Sequence, residues 1–166
     1  VELAGFAATA FSVTAILTRP FVGYYINIKR KKVILTAALV IVAFSILGYA
    51  LSGSVSLLLL FRLLHGVGWG MVTTANSTVL VASIGEDQIG RGIGLFGIAS
   101  SLASVFAPNL GLQLIQGVGY RWMFLISFAL AVAGCLMSFG VDENAMRKSK
   151  APQGKLNVLE HLFARE

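Results

Sequence analysis

Five apolar stretches, each long enough to cross about 30 Å of hydrocarbon as a helix, dictate what this chain can become. They cover residues 4–25, 33–51, 56–84, 93–115 and 122–141, and the connections between them are short. Of 166 residues, 57% are hydrophobic and only 12% charged. A soluble interior of this size cannot hide so much apolar surface, so a lipid bilayer must solvate most of it. The expected fold class is an all-α integral membrane protein with five transmembrane helices.

The loop charges orient these spans. Lys29, Arg30, Lys31, Lys32 and Arg91 fall on one side, together with Arg147, Lys148, Lys150 and Lys155, whereas the opposite loops carry only Arg121. By the positive-inside rule the Lys29 loop, the Arg91 loop and the C-terminal tail are expected in the cytoplasm of a multi-pass plasma-membrane protein. The net charge of +6 is therefore topological, and no nucleic-acid partner is expected. Tyr120 and Trp122 suit an outer interface, and Tyr24 and Tyr25 an inner one. Five spans with the C-terminus inside put the N-terminus outside, yet Val1-Glu2-Leu3 offers no targeting signal. An upstream span is expected, so the chain reads as a piece of a larger protein.

Residues 1–141 form the membrane part, and residues 142–154, with Pro152 and Gly154 as breakers, read as a linker. Beyond it, Leu156, Leu159, Leu162 and Phe163 recur at helical spacing. That suits an interfacial cytoplasmic helix or an ordinary solvated one equally. Cys135 is the sole cysteine and cannot form an internal disulfide. Neither a phosphate-binding loop nor a metal-ligand cluster nor a catalytic triad is visible, so no enzyme, metal or cofactor is expected.

The third span carries the polar chemistry. Arg62, His65, Trp69, Thr73 and Asn76 share one helical face. An arginine at membrane depth is costly and should meet protein or a wet cavity, unless it snorkels to the nearby outer interface. His65 suits a hydrogen-bonded packing role or proton carriage. Gly66 and Gly70 form a small-xxx-small pair for close helix contact. In the fourth span Gly94, Gly97, Ser101, Ser104, Pro108 and Gly111 give a smooth face, and Pro108 is expected to bend the helix. Such a face suits a moving seam or static packing. The run Arg19-Pro20-Phe21-Val22-Gly23 is expected to end the first helix beside the basic turn, whose residues alone need mean no more than topology.

Together these segments resemble the major facilitator superfamily, the twelve-span secondary transporters. The stretch from Gly23 to Lys32 sits where that family has Gly-x-Leu-Ala-Asp-Arg-x-Gly-Arg-Lys between helices two and three. Gly23, Lys31 and Lys32 fit, whereas Asn27, Ile28 and Arg30 replace the acid, the first arginine and the glycine. Arg62-x-x-His65-Gly66-x-Gly68-x-Gly70 is similar to the fourth-helix motif. Gly94, Ala103, Ala107, Pro108 and Gly111 are similar to the fifth-helix antiporter pattern, with two glycines changed to alanine. Arg91 also sits where the family has a similar residue.

The resemblance implies helices two to six of the N-terminal six-helix bundle, lacking helix one and the C-terminal half of the same transporter. It implies proton-coupled efflux of a small molecule such as a drug or metabolite by alternating access. An uptake uniporter or symporter, or a non-transporting assembly partner, are the other readings. Cavity candidates by this resemblance are Arg62, His65, Trp69, Thr73, Asn76, Ser12, Thr14 and Ser101. Gating-loop candidates are Arg19, Gly23, Asn27, Lys31, Lys32 and Arg91. Helices three and six, residues 33–51 and 122–141, are expected to face lipid. No Asp or Glu lies within the spans, so proton coupling would fall to the absent segments or to His65.

Overall fold

Backbone polar groups have no water to bond in hydrocarbon, so apolar runs of this length must close their hydrogen bonds within helices. A computed structural model describes residues 2–28, 31–84 and 86–141, and the side chains of all of these except residues 2–4, 27, 28 and 86. It contains four helices long and apolar enough to cross a membrane. They are α1 (Glu2–Ile28), α2 (Lys31–Leu51), α3 (Val55–Ser83) and α4 (Ile89–Ser138), with a short 3-10 turn at Glu86–Gln88. The linker and terminal helix expected over residues 142–166 lie outside the described residues.

α4 carries the fourth and fifth expected spans as two helical arms, residues 89–118 and 120–138, which meet at a kink at Gly119. At 1.5 Å per residue, its 50 residues would stretch about 75 Å, more than twice a bilayer core. It departs from helical backbone only at Gly119 (φ 85°, ψ 169°), a conformation open essentially to glycine. A single residue thus does the work of the expected loop 116–121. Within α4 the departure from helical φ and ψ falls at Gly119, inside the expected connection, and Pro108 lies within the first arm.

Pro20 likewise lies inside α1, which runs on through Gly23 to Ile28. The expected helix end at residues 19–23 is therefore absent. Proline deprives a helix of one hydrogen bond, but neighbouring helices and local adjustment make it tolerable in membrane spans. Arg91 is also helical, because α4 starts at Ile89. At the other connection, Ser54 caps α3 with extended backbone (φ −139°, ψ 153°), its hydroxyl accepting from the Leu57 amide at 3.3 Å.

Contacts fix the arrangement. α3 lies between α1 and α2, and α2 lies between α3 and the second arm of α4. Phe11 and Ala15 of α1 meet Gly66 and Gly70 in the same sense, so α1 and α3 are parallel. Val42 meets Gly68, and Tyr49 meets His65, so α2 is antiparallel to both. Tyr49 with Phe124, and Thr36 with Ser138, run the second arm antiparallel to α2. The core is built of small and branched residues: Leu35, Ala75, Val79 and Ala82 with Ile26 in one cluster, and Ala38, Val42 and Val72 in another. The expectation that residues 33–51 lie at the periphery holds for one face only. Val33, Val40 and Phe44 are exposed, but Leu35, Ala38, Val42, Ser45 and Tyr49 are buried between two neighbours.

Candidate functional site

Glycine spacing positions the site. Residues 66 and 70 point one way from α3, and residue 68, about 200° from residue 66, points the other. A Cβ on Gly66 would collide with Thr14 Oγ1 and stand 2.5 Å from the Phe11 carbonyl oxygen; one on Gly70 would stand 2.5 Å from the Ala15 carbonyl oxygen. On the opposite side, a Cβ on Gly68 would be 2.9 Å from both Ile41 and Val42 side chains and 3.1 Å from the Val42 nitrogen. The alternating glycines let α3 approach the backbones of α1 and α2 at once. Gly48 of α2 leaves room in the same way for the Phe61 ring.

One turn away, this close approach gathers Arg62, His65 and Trp69 around Phe11. The Arg62 guanidinium carbon lies 4.9 Å from the Phe11 ring centroid, close enough for a cation–π contact. His65 meets Phe11 edge-on at 5.4 Å, and Trp69 meets it at 6.5 Å with the rings tilted by 43°. From the other side, the Tyr49 hydroxyl lies 3.0 Å from His65 Nδ1, near Arg62, and its ring packs on Phe124 at 5.4 Å. A buried tyrosine hydroxyl needs such a partner. It shares a hydrogen bond with His65 Nδ1, and the Phe61 carbonyl, at 3.4 Å, lies within its reach as an acceptor.

The remaining cavity candidates separate from this cluster. Thr73 bonds back to the Trp69 and Gly70 carbonyls of its own helix, and Asn76 is half-buried further along the face. Thr14 bonds the Ala10 and Phe11 carbonyls at 3.0 Å while its oxygen abuts Gly66, making it part of the α1–α3 contact. Ser12 is exposed and bonds the Ala8 carbonyl. Hydroxyls that close onto the preceding turn are the cheap way to hold Ser and Thr in lipid, and they carry little evidence of a site. Ser101 is exposed on the first arm of α4 and is not brought to the cluster. Ala103, Ala107 and Pro108 are exposed there too, and Gly94, Gly97 and Gly111 face open space.

At the opposite end of the bundle, the gating-loop candidates divide. Arg19 and Arg91 are exposed, Gly23 and Lys31 are half-buried, and the side chain of Asn27 lies outside the described residues. Lys32 donates to the Phe139 carbonyl at 2.7 Å, just past the end of α4, where a cation complements the helix dipole. Beside it, Thr36 and buried Ser138 share a hydrogen bond at 3.1 Å. Tyr49, Phe11 and Phe124 were missed from the sequence. Tyr49 did carry a signal, being the sole tyrosine in the run 33–51.

The described residues form a polytopic helical membrane bundle, organised by a glycine-spaced central helix with an arginine held beside aromatic rings. The profile of the Major Facilitator Superfamily matches residues 1–166, and the chain belongs to that family of membrane transporters, not to a family of enzymes. It is similar to YfiU of Bacillus subtilis, named an uncharacterized MFS-type transporter, at 35% identity over 64% of this chain and 20% of that protein. It is also 32% identical to a multidrug resistance protein B homolog of Mycobacterium tuberculosis, over 54% of this chain and 16% of that one. With YebQ of Escherichia coli, named an uncharacterized transporter, the identity is 26% over 89% of this chain and 33% of that protein. The chain thus spans about a sixth to a third of the length of these relatives. No solved structure matches it.

Proposed function

We propose that this chain supplies helices two to six of a secondary transporter that exports a small molecule by alternating access, coupled to protons, across the plasma membrane. The observation that carries the reading is the Arg62–Tyr49–His65 cluster at a glycine-tight seam between two parallel helices, in a chain of this family. A charge at membrane depth is costly, so such residues face protein or a wet cavity and mark transport paths more often than lipid-facing surfaces. The multidrug name of the M. tuberculosis relative supports efflux over uptake. In this reading the Lys29 loop is cytoplasmic, and a further helix and a second half complete the site. Because no Asp or Glu occurs from residue 3 to residue 85 or from 88 to 141, coupling by this segment falls to His65. Otherwise a carboxylate elsewhere in the transporter carries it.

The test is flux by the complete native polypeptide in proteoliposomes, with a panel of fluorescent dyes and an imposed pH gradient. The expected outcome is gradient-driven movement of at least one dye, sharply reduced by Pro108→Ala. Gradient-driven movement untouched by that change would point to uptake instead of exchange. An intact, correctly inserted protein that moves no solute in either direction would make this an assembly partner.

A further inference from the structure

Far from Arg62, the end of the bundle at which the chain leaves α4 is closed by a separate set of residues. Past Ser138 the backbone turns, the Phe139, Gly140 and Val141 amides donating to the Leu136, Met137 and Ser138 carbonyls at 3.1, 3.0 and 3.3 Å. The Phe139 carbonyl accepts from another helix, through Lys32 Nζ at 2.7 Å. Thr36 and Ser138 share their hydrogen bond at 3.1 Å, and Ser138 is only 5% exposed. Lys32 and Thr36 are four residues apart, so one face of α2 grips residues 138 and 139 together. Held there, Val141 packs against a cluster to which three helices contribute: Ile26 of α1, Leu35 of α2, and Ala75, Val79 and Ala82 of α3. Lys31 carries the same charge as Lys32 but points about 100° away around the helix.

We propose that residues 139–141 are a strap, buckled by Lys32 and Thr36, that closes the foot of the α1–α2–α3 bundle with the Val141 side chain. A cation at the carbonyl end of a helix is favourable, and its hydrogen bond there is charge-assisted. The Lys32 bond is exposed whereas the Thr36–Ser138 bond is part-buried, so the strap opens first at Lys32. Phe139 and Gly140 are themselves exposed and add little grip of their own. The inference goes beyond the transport reading and stands on packing alone. The strap ties the segment after residue 141 to the foot of the α1–α3 seam, so movement of either is felt by the other.

The test measures how fast a single cysteine at position 141 reacts with a charged, membrane-impermeant maleimide. It uses the complete native polypeptide in lipid nanodiscs, with its other cysteines, Cys135 included, replaced. V141C is expected to react at least about tenfold more slowly than F139C, which marks the exposed limit. K32M should speed labelling of V141C by about three- to tenfold, and T36V by about twofold, whereas K32R keeps a donor and should retain most of the protection. K31M removes an equal charge one residue away and should leave the rate unchanged, which separates the buckle from any effect of charge on the thiol. V141C reacting as fast as F139C overturns the proposal, and so does a K32M protein no faster than its parent or matched by K31M. Should K32M fail to insert, T36V and the parent's ratio of the two rates still decide. Protection of position 141 in a protein that moves no solute would overturn the transporter reading and leave the strap standing. Gradient-driven flux with position 141 unprotected would do the reverse.

Discussion

Two glycine-patterned helices in one chain behave in opposite ways. In α3, a side-chain carbon on Gly66, Gly68 or Gly70 would strike the backbone or side chains of a neighbouring helix. On the first arm of α4, Gly94, Gly97 and Gly111 have nothing within 4 Å, and Leu95, Val105 and Leu112 are more than half exposed. The residue type is the same and the spacing is helical in both. What differs is the second partner: glycine permits close approach but does not supply the helix that approaches. In the proposed transporter, the smooth arm is the face left for elements outside these four helices.

The sharpest way to break this contrast is Gly66→Leu. With the Phe11 carbonyl 2.5 Å from any Cβ, α1 and α3 must separate, and we expect a loss of about 3 kcal/mol or more, seen as collapse of thermal stability in detergent. A protein as stable as the parent would show that α1 and α3 are not held backbone to backbone. Gly119→Ala comes next. Its φ of 85° is unfavourable for any side chain, although its surroundings are open, so about 1–3 kcal/mol is expected to disappear. Chemical cross-linking between cysteines placed at Thr36 and Ser138 reports whether the second arm still returns to α2. The smallest effect sharpens the comparison instead. Gly97→Ala should be neutral, or stabilise by up to about 1 kcal/mol, in the isolated chain, through helix propensity alone. If the same change destabilises a complete transporter, the arm is covered there.

Much of the architecture was legible because lipid enforces a simple rule. Membrane-length apolar runs must be helices, so residues 2–28, 31–51 and 55–83 were placed to within a few positions. Proline misled at one place: Pro20 looks like a breaker, yet α1 runs on through it. The backbone turns aside at Gly119, one of several glycines whose φ no local pattern announces. The site was half legible. Arg62, His65 and Trp69 stood out by charge and spacing, whereas Thr73 and Thr14 looked equally polar and bond their own helix. Hydrogen bonds to the preceding turn are invisible as such in a residue list. Lys32 was noted as a loop charge, and its partner, the Phe139 carbonyl, is more than a hundred residues away.

The sequence by itself determined the solvent, the helices and the charges, because hydropathy over some twenty residues and the cost of an unbonded amide are local quantities. Only the tertiary structure decided which helix stands beside which. It set α3 between α1 and α2, brought Phe11 and Tyr49 to opposite sides of His65, and left the α4 arm unaccompanied. Those outcomes depend on contacts between residues far apart in the chain, where packing shape selects among helices that hydropathy cannot tell apart.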